Sequence, residues 1–219
     1  MNNTLVLPEV SVILATFNRQ NLVGRAIQSV LLQDFPGFEL IVVDDGSTDQ
    51  SAEVISALRL KDSRVNYIFQ QNQGLASARN TGVAAAKGRY VTFLDSDDEY
   101  HGSHLRLRKA RLDANPHVMM LHGGVEVING SSLVPDYYQP GKLVDIQVCA
   151  VGATFFYRRE LHSLIGGFRD REFGEDTEFF ERATQAVKVE KVTWATYRYY
   201  RDSTDSIVTR EINRTHGPK

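Results

Sequence analysis

The chain has 219 residues, 42% hydrophobic and 24% charged, enough to bury a full core as one α/β domain. Its formal net charge of −2 excludes the basic excess that nucleic-acid binding needs. Cys149 is the one cysteine, which excludes an internal disulfide and a cysteine-based zinc site, fits a reducing compartment and reads as a small buried core residue.

At the N-terminus, Met1 to Pro8 lacks a basic region followed by a long apolar run. No later stretch approaches the ~18 apolar residues of a membrane-spanning helix. The expectation is a cytoplasmic protein with no transmembrane segment, peripheral at the membrane only through a partner or a lipid acceptor. Val10 to Ala15 is a short, nearly continuous β-rich apolar run, the pattern of a parallel strand buried on both faces. From Leu22 to Leu32, apolar residues at three- and four-residue spacing predict a helix, ended by Pro36-Gly37. Phe38 to Val43 is a second strand. Ser47 with Gln50 predicts a capping box opening a helix that carries Ala52, Ile55 and Leu58.

Val65 to Phe69 reads as a third strand, and Leu75, Ala78, Gly82, Val83 and Ala86 mark a helix stopped by Gly88. Tyr90 to Leu94 is a fourth strand. This β-α alternation predicts a Rossmann-like, doubly wound, mostly parallel sheet flanked by helices, with ligands outside the carboxyl ends of its strands. The second half is less regular. It predicts a helix over Leu105 to Leu112, a strand over Met119 to Val127, a polar loop from Asn129 to Gly141 and a strand near Ala153 to Tyr157. A helix from Glu175 to Ala186 follows, with Phe179, Phe180 and Ala183 inward, then a strand through Val192, Trp194 and Tyr197. No repeat or linker divides the chain, so residues 1–219 read as one domain.

Carboxylates collect where the strands end. Asp44 and Asp45 close the second strand; Asp95, Asp97 and Asp98 close the fourth. Like charges on one rim are best stabilised by a bound cation, and Mg²⁺ or Mn²⁺ takes one or two carboxylates and completes its shell with phosphate oxygens and water. Taken alone, Asp44-Asp45-Gly46 also suits a hairpin turn and Asp95-Ser96-Asp97-Asp98 a solvated loop. A calcium loop fails, because Tyr100 stands where an EF-hand needs glycine. Glu175 and Asp176 open the late helix, where acids complement the helix dipole and where a general base would stay ionised.

Six motifs in order resemble family-2 glycosyltransferases of the GT-A fold. They are Val10 to Ile13 with Thr16-Phe17-Asn18-Arg19, Val42 to Asp49, Asn72 to Asn80, Phe93 to Asp98, Ile165-Gly166-Gly167-Phe168 and Gly174-Glu175-Asp176. The resemblance implies an inverting transfer of a sugar from a nucleotide-diphosphate donor, UDP first, to a saccharide, lipid-linked or protein acceptor in polysaccharide, lipopolysaccharide or other glycoconjugate synthesis. It also implies a nucleotide-binding half over residues 8–100 and an acceptor-binding half, with a smaller sheet, over residues 101–210.

Position by position, it implies that Phe17 stacks on the base and Asp45 accepts a hydrogen bond from it. Ala15 lies where some members carry a hydroxyl, so that contact falls to backbone. Thr16, Asn18, Arg19, Asp44, Gly74 and Ser96 join the donor-nucleotide set, Arg79 approaches the nucleotide or its phosphates, and Asp95 binds the ribose side. Asp97, with Asp98 second, ligates the divalent metal, and Asp176, with Glu175 second, is the base. Relatives place a histidine in a segment like Tyr197 to Asp202; this chain has none there, so Arg198, Arg201 or a tyrosine takes the diphosphate. His101 and His104 read as surface residues, and Tyr137-Tyr138 as an acceptor-side aromatic pair or ordinary loop.

Two rival functions stay open. A sugar nucleotidyltransferase would need a Gly-rich phosphate loop where this chain has Thr16-Phe17-Asn18-Arg19. A nucleotide-sugar-binding module without turnover would keep the donor residues but not a working Asp176.

Overall fold

The computed structural model describes residues 7–171, 173–201 and 206–216. The N-terminal reading over residues 1–6 and the position of Asp202 lie outside them. The first half is the alternation expected: β1 Val10–Thr16, α1 Val23–Leu31, β2 Phe38–Asp44, α2 Ser51–Arg59, β3 Val65–Phe69, α3 Leu75–Ala85 and β4 Tyr90–Asp95. It continues with β5 Glu99–Tyr100, α4 His104–Ala114, β6 Met120–His122, β7 Val125–Ile128, β8 Leu133–Pro135 and β9 Leu143–Asp145. Last come β10 Phe156–Arg158, α5 Glu160–Ile165, α6 Glu175–Ala186, β11 Val189–Lys191, β12 Tyr197–Tyr200 and α7 Ile207–His216.

Seven strands form the central sheet in the order β11-β6-β10-β4-β1-β2-β3. β1 pairs in parallel with β2 and β4, and β2 with β3, while β10 runs antiparallel between β4 and β6. The register sets Ala15 beside Asp95 and Thr16 beside Asp44, so the acidic ends of β2 and β4 share one edge with the end of β1. A smaller sheet, β5-β12-β7, and the β8-β9 hairpin stand beyond that edge.

Alternation along β1 feeds two cores. Val10, Val12 and Leu14 join α1 and α4 on one face, while Ile13 joins α3, α5 and α6 on the other. Each is essentially inaccessible to water, which is why these strands carry unbroken apolar runs. Fully burying each such side chain contributes about 1.5–3 kcal/mol, and the strand ends are thereby fixed.

Several expectations change. Ser47 does not cap α2: its hydroxyl accepts the N–H of Asn18 at 2.9 Å, and Asp49 accepts the N–H groups of Ser51 and Gln20. The loop between β2 and α2 is tied to the loop after β1 instead. The single strand over Met119 to Val127 divides at Gly123-Gly124, both with positive φ, into β6 of the large sheet and β7 of the small one. A Cβ on Gly124 would lie 2.1 Å from the Trp194 carbonyl oxygen, so only glycine can turn there.

The strand over Ala153 to Tyr157 becomes a 3₁₀ turn, Gly152–Thr154, before β10. Of the run expected as a strand through Val192, Trp194 and Tyr197, only Tyr197 lies in a strand, β12, while Val192 and Trp194 fall in the link after β11, and the Asn129 to Gly141 loop contains β8. His104 is fully buried, stacked on Tyr100 at 3.7 Å, because α4 turns it inward; His101 is exposed. Among the described residues no helix is long and apolar enough to cross a membrane.

Candidate active site

A cleft of about 890 Å³ opens at the carboxyl edge of β1, β2 and β4, between that edge and the β8-β9 hairpin. One wall is the chain leaving β1: Ala15, Thr16, Phe17, Asn18 and Arg19. Phe17 is 44% exposed, an aromatic face left open to the cleft. Thr16 is buried, and among the described residues its hydroxyl has no hydrogen-bond partner. Asn18 takes φ 53° and holds the loop by accepting the N–H of Thr48 at 2.8 Å.

Asp45 also lines the cleft. Its carboxylate accepts from the Gln70 side chain at 2.7 Å, the N–H of Gln73 at 2.9 Å and the N–H of Gly74 at 2.8 Å. A carboxylate offers about four acceptor positions, so one remains. Asp44, its neighbour on the strand, points the other way and is fully buried. There it accepts the N–H of Ser47 at 2.8 Å and the Tyr67 hydroxyl at 2.9 Å. Burial, and then the anionic Asp44, push Tyr67 up to about 12. Of this pair, the structure brings Asp45 to the cleft and leaves Asp44, at the end of β2, buried away from it.

Gly74, Arg79, Asp95, Ser96 and Asp97 are brought to the cleft. Asp98 is not: 1% exposed, it accepts the Tyr197 hydroxyl at 2.6 Å and the N–H of Tyr200 at 2.8 Å. Burial, with Asp97 and Asp95 alongside, holds the Asp98 carboxyl well above the usual carboxylate range. Asp98 thus ties the loop after β4 to β12 and does not line the cleft.

The opposite wall carries the N-terminus of α6. Asp176 lines the cleft; its Oδ2 accepts the N–H of Gly152 at 2.9 Å and its Oδ1 the N–H of Thr177 at 2.7 Å. A Cβ on Gly152 would fall 2.7 Å from that of Asp176, so the approach depends on glycine. Glu175 beside it is buried and pairs with Arg79 at 3.0 Å. Burial raises both carboxyls; in Glu175 the charge of Asp176 adds to this and Arg79 opposes it, and in Asp176 the Gly152 N–H and Arg79 oppose it. Arg79 itself, 3% exposed, bridges Glu175 and Asp95, the latter at 3.1 Å.

Arg198 and Arg201 do not reach the cleft. Arg198 faces Glu126 and Glu99 from the small sheet, and Arg201 donates to the Tyr199 hydroxyl. The arginines that line the cleft are Arg19, Arg79 and, from α7, Arg210. Sequence reasoning missed Arg210 because it did not read α7; the spacing of Ile207, Val208, Glu211 and Ile212 was the available signal. It also missed Gln70, Gly152 and Arg25, whose guanidinium stacks 3.9 Å from the centroid of the Tyr200 ring and donates to the Asp97 carbonyl.

Cys149 is half-buried: it packs against the small core cluster of Val125, Val134 and Ile146 and also borders the cleft. With Val134, Val144, Ile146, Val148 and Tyr137 it makes the hairpin wall apolar. Among the described residues no three His, Cys, Asp or Glu side chains converge to cage a metal. Asp97 on the rim offers one hard-oxygen donor, and Mg²⁺ or Mn²⁺ commonly takes one or two carboxylates with the rest of its shell from phosphate oxygens and water, so the residues would fit such an ion.

Residues 11–165 match the family model described as Glycosyl transferase family 2. The chain is 32% identical over 147 residues to an Escherichia coli UDP-Glc:alpha-D-GlcNAc-diphosphoundecaprenol beta-1,3-glucosyltransferase, covering 65% of this chain and 57% of that one. It is 46% identical over 95 residues to a Campylobacter jejuni GalNAc(5)-diNAcBac-PP-undecaprenol beta-1,3-glucosyltransferase, covering 42% and 31%. The chain spans only 14% to 57% of the length of the curated relatives it matches. Among solved structures, S. aureus TarS 1-349 in complex with UDP-GlcNAc superimposes with a TM-score of 0.75 at 26% identity, covering 91% of this chain and 60% of that one.

Proposed function

The chain belongs to glycosyl transferase family 2, and from that membership we propose that it transfers a sugar from a UDP-sugar to a hydroxyl of a lipid-linked saccharide, inverting the anomeric carbon. The observation that carries this reading is the placement of Asp176. Two backbone N–H groups fix its carboxylate across one cleft from Asp45, Asp95 and Asp97.

In this reading Phe17 stacks on uracil and the remaining acceptor position of Asp45 takes the uracil N–H. The Thr16 hydroxyl, which has no partner among the described residues, bonds the nucleoside. Asp95 binds the ribose side. Asp176 takes the proton of the acceptor hydroxyl while the acceptor oxygen bonds to the anomeric carbon. The bond from that carbon to the phosphate oxygen breaks, and UDP leaves with its electron pair. Because attack and departure lie in line, one carboxylate suffices and configuration inverts. A bound Mg²⁺ or Mn²⁺, held by Asp97, would offset the charge growing on the leaving diphosphate.

The apolar hairpin wall supports an acceptor with a hydrocarbon portion, as do the undecaprenol-linked acceptors in the names of two relatives. Membrane contact would then come through the acceptor. The test is incubation with UDP-glucose or UDP-GlcNAc, Mn²⁺ and a polyprenyl-diphosphate-linked GlcNAc, with the product read by mass spectrometry. One added hexose or N-acetylhexosamine is expected. UDP binding with no transfer to any acceptor would leave a nucleotide-sugar-binding module, and pyrophosphate release from a nucleoside triphosphate and a sugar phosphate would point to a nucleotidyltransferase.

A further inference from the structure

We propose that Arg79 is a positioning residue rather than a donor ligand, a shared counter-ion that locks Asp95 on the donor side to Glu175 on the acceptor side and leaves Asp176 free to accept the proton. This rests on the glycosyltransferase reading for the role of Asp176, while the geometry stands independently. The resemblance implies that Arg79 reaches toward the nucleotide; its guanidinium borders the cleft, but it is almost fully covered and both of its terminal nitrogens are taken by carboxylates.

Its side chain is 4% exposed, with one terminal nitrogen 3.0 Å from Glu175 and the other 3.1 Å from Asp95. The rings of Phe168 and Phe93 flank it, their centroids 5.4 and 5.7 Å from the guanidinium carbon. A planar fork can hold two carboxylates from different elements at once, which a lysine ammonium cannot do in the same geometry.

The arrangement answers an electrostatic problem. Glu175 and Asp176 are consecutive and sheltered from water, so without a cation one would keep its proton and the pair would titrate as a unit. The charged and titratable groups facing them are Arg79 from α3, Asp95 from β4 and Cys149 from the chain before the 3₁₀ turn, which itself offers the Gly152 N–H. Among these only Arg79 is cationic. Neutralising Glu175 is what allows Asp176 to be ionised beside it.

The test follows the carboxyl ¹³C resonances of Glu175 and Asp176 against pH in the wild-type chain, Arg79→Lys and Glu175→Gln, with UDP and Mn²⁺ binding measured by calorimetry. In Arg79→Lys the apparent titration of the pair should rise by about one unit or more. In Glu175→Gln, where Arg79 remains and the competing carboxylate is gone, the Asp176 titration should fall. UDP affinity of Arg79→Lys should stay within about threefold of wild type, since one hydrogen bond to a charged group is worth about tenfold or more.

A loss of UDP affinity beyond tenfold with unmoved titrations would make Arg79 a donor ligand and overturn the proposal. Unmoved titrations in both variants, with only a lower melting temperature, would reduce it to a packing residue. Failure of the wild type to transfer sugar, with the titrations moving as stated, would sink the functional reading and leave the counter-ion role in place.

Discussion

The hydroxyl of Tyr197 donates to Oδ2 of Asp98 over 2.6 Å, joining the end of β12 to the loop after β4. Tyr197 is fully buried, and Asp98 nearly so. Tyr197→Phe should therefore lower unfolding stability by about 1–3 kcal/mol, the cost of leaving a buried carboxyl short of a partner. Asp97→Asn, one residue earlier but lining the cleft, should barely change stability and should abolish the Mn²⁺ dependence of UDP binding. Urea titrations beside calorimetry with and without metal check both.

Asp176→Asn keeps the shape of the side chain and an oxygen for the N–H of Gly152 or Thr177, but not the basicity. Transfer should fall by about 10²–10⁴, the usual contribution of a general base. UDP affinity should remain within a few-fold of wild type. A parallel collapse of UDP binding would make Asp176 structural.

Thr16→Val replaces an unpartnered buried hydroxyl with a methyl of the same shape. The melting temperature should hold or rise, because the substitution removes a desolvated polar group. Affinity for UDP should weaken several-fold, by about the worth of one hydrogen bond. Unchanged affinity would take Thr16 out of the nucleoside contact.

Three histidines make the fold sensitive to acid: burial, then Arg108, holds His104 well below the usual imidazole range. Burial, then Lys191 and Arg108, lower His122 to about 4; burial, then Arg182, lowers His162 to about 4. The folded state thus binds fewer protons than the unfolded chain between pH 6.5 and 4. The sign is a stability present above about 6.5 and lost as pH falls toward 4. Unfolding free energy should drop on the order of 3 kcal/mol for each of His122 and His162 across that window. His122→Gln should flatten part of the slope in urea midpoints measured against pH.

Gly124→Ala should be among the most damaging single changes. Its φ of 78° and the 2.1 Å approach to the Trp194 carbonyl leave no room for a methyl group. A loss of about 3 kcal/mol or more is expected by chemical denaturation.

The strands that position the cleft were legible because parallel strands buried on both faces must be continuous apolar runs: Val10 to Ala15, Phe38 to Val43, Val65 to Phe69 and Tyr90 to Leu94 all lie within or coincide with β1 to β4. The second half was less so. Its strands are three or four residues long, and a positive φ at two glycines redirects a run that reads as one. In the site, sequence clusters locate acids but not their direction. Asp45 and Asp97 face the cleft while Asp44 and Asp98, one residue away, are taken up by Tyr67 and Tyr197, tyrosines 23 and 99 residues distant. For Arg79 the sequence offers only a resemblance to a nucleotide contact; its two carboxylate partners, 16 and 96 residues distant, appear only in the fold.

The turn at Gly123-Gly124 also bears on motion. β6 and β7 are one stretch of chain built into two sheets, and β12 is stitched to both β5 and β7. The large and small sheets are thus joined through a two-residue turn that only glycine can make, so any shift of the small sheet against the large one must bend this turn.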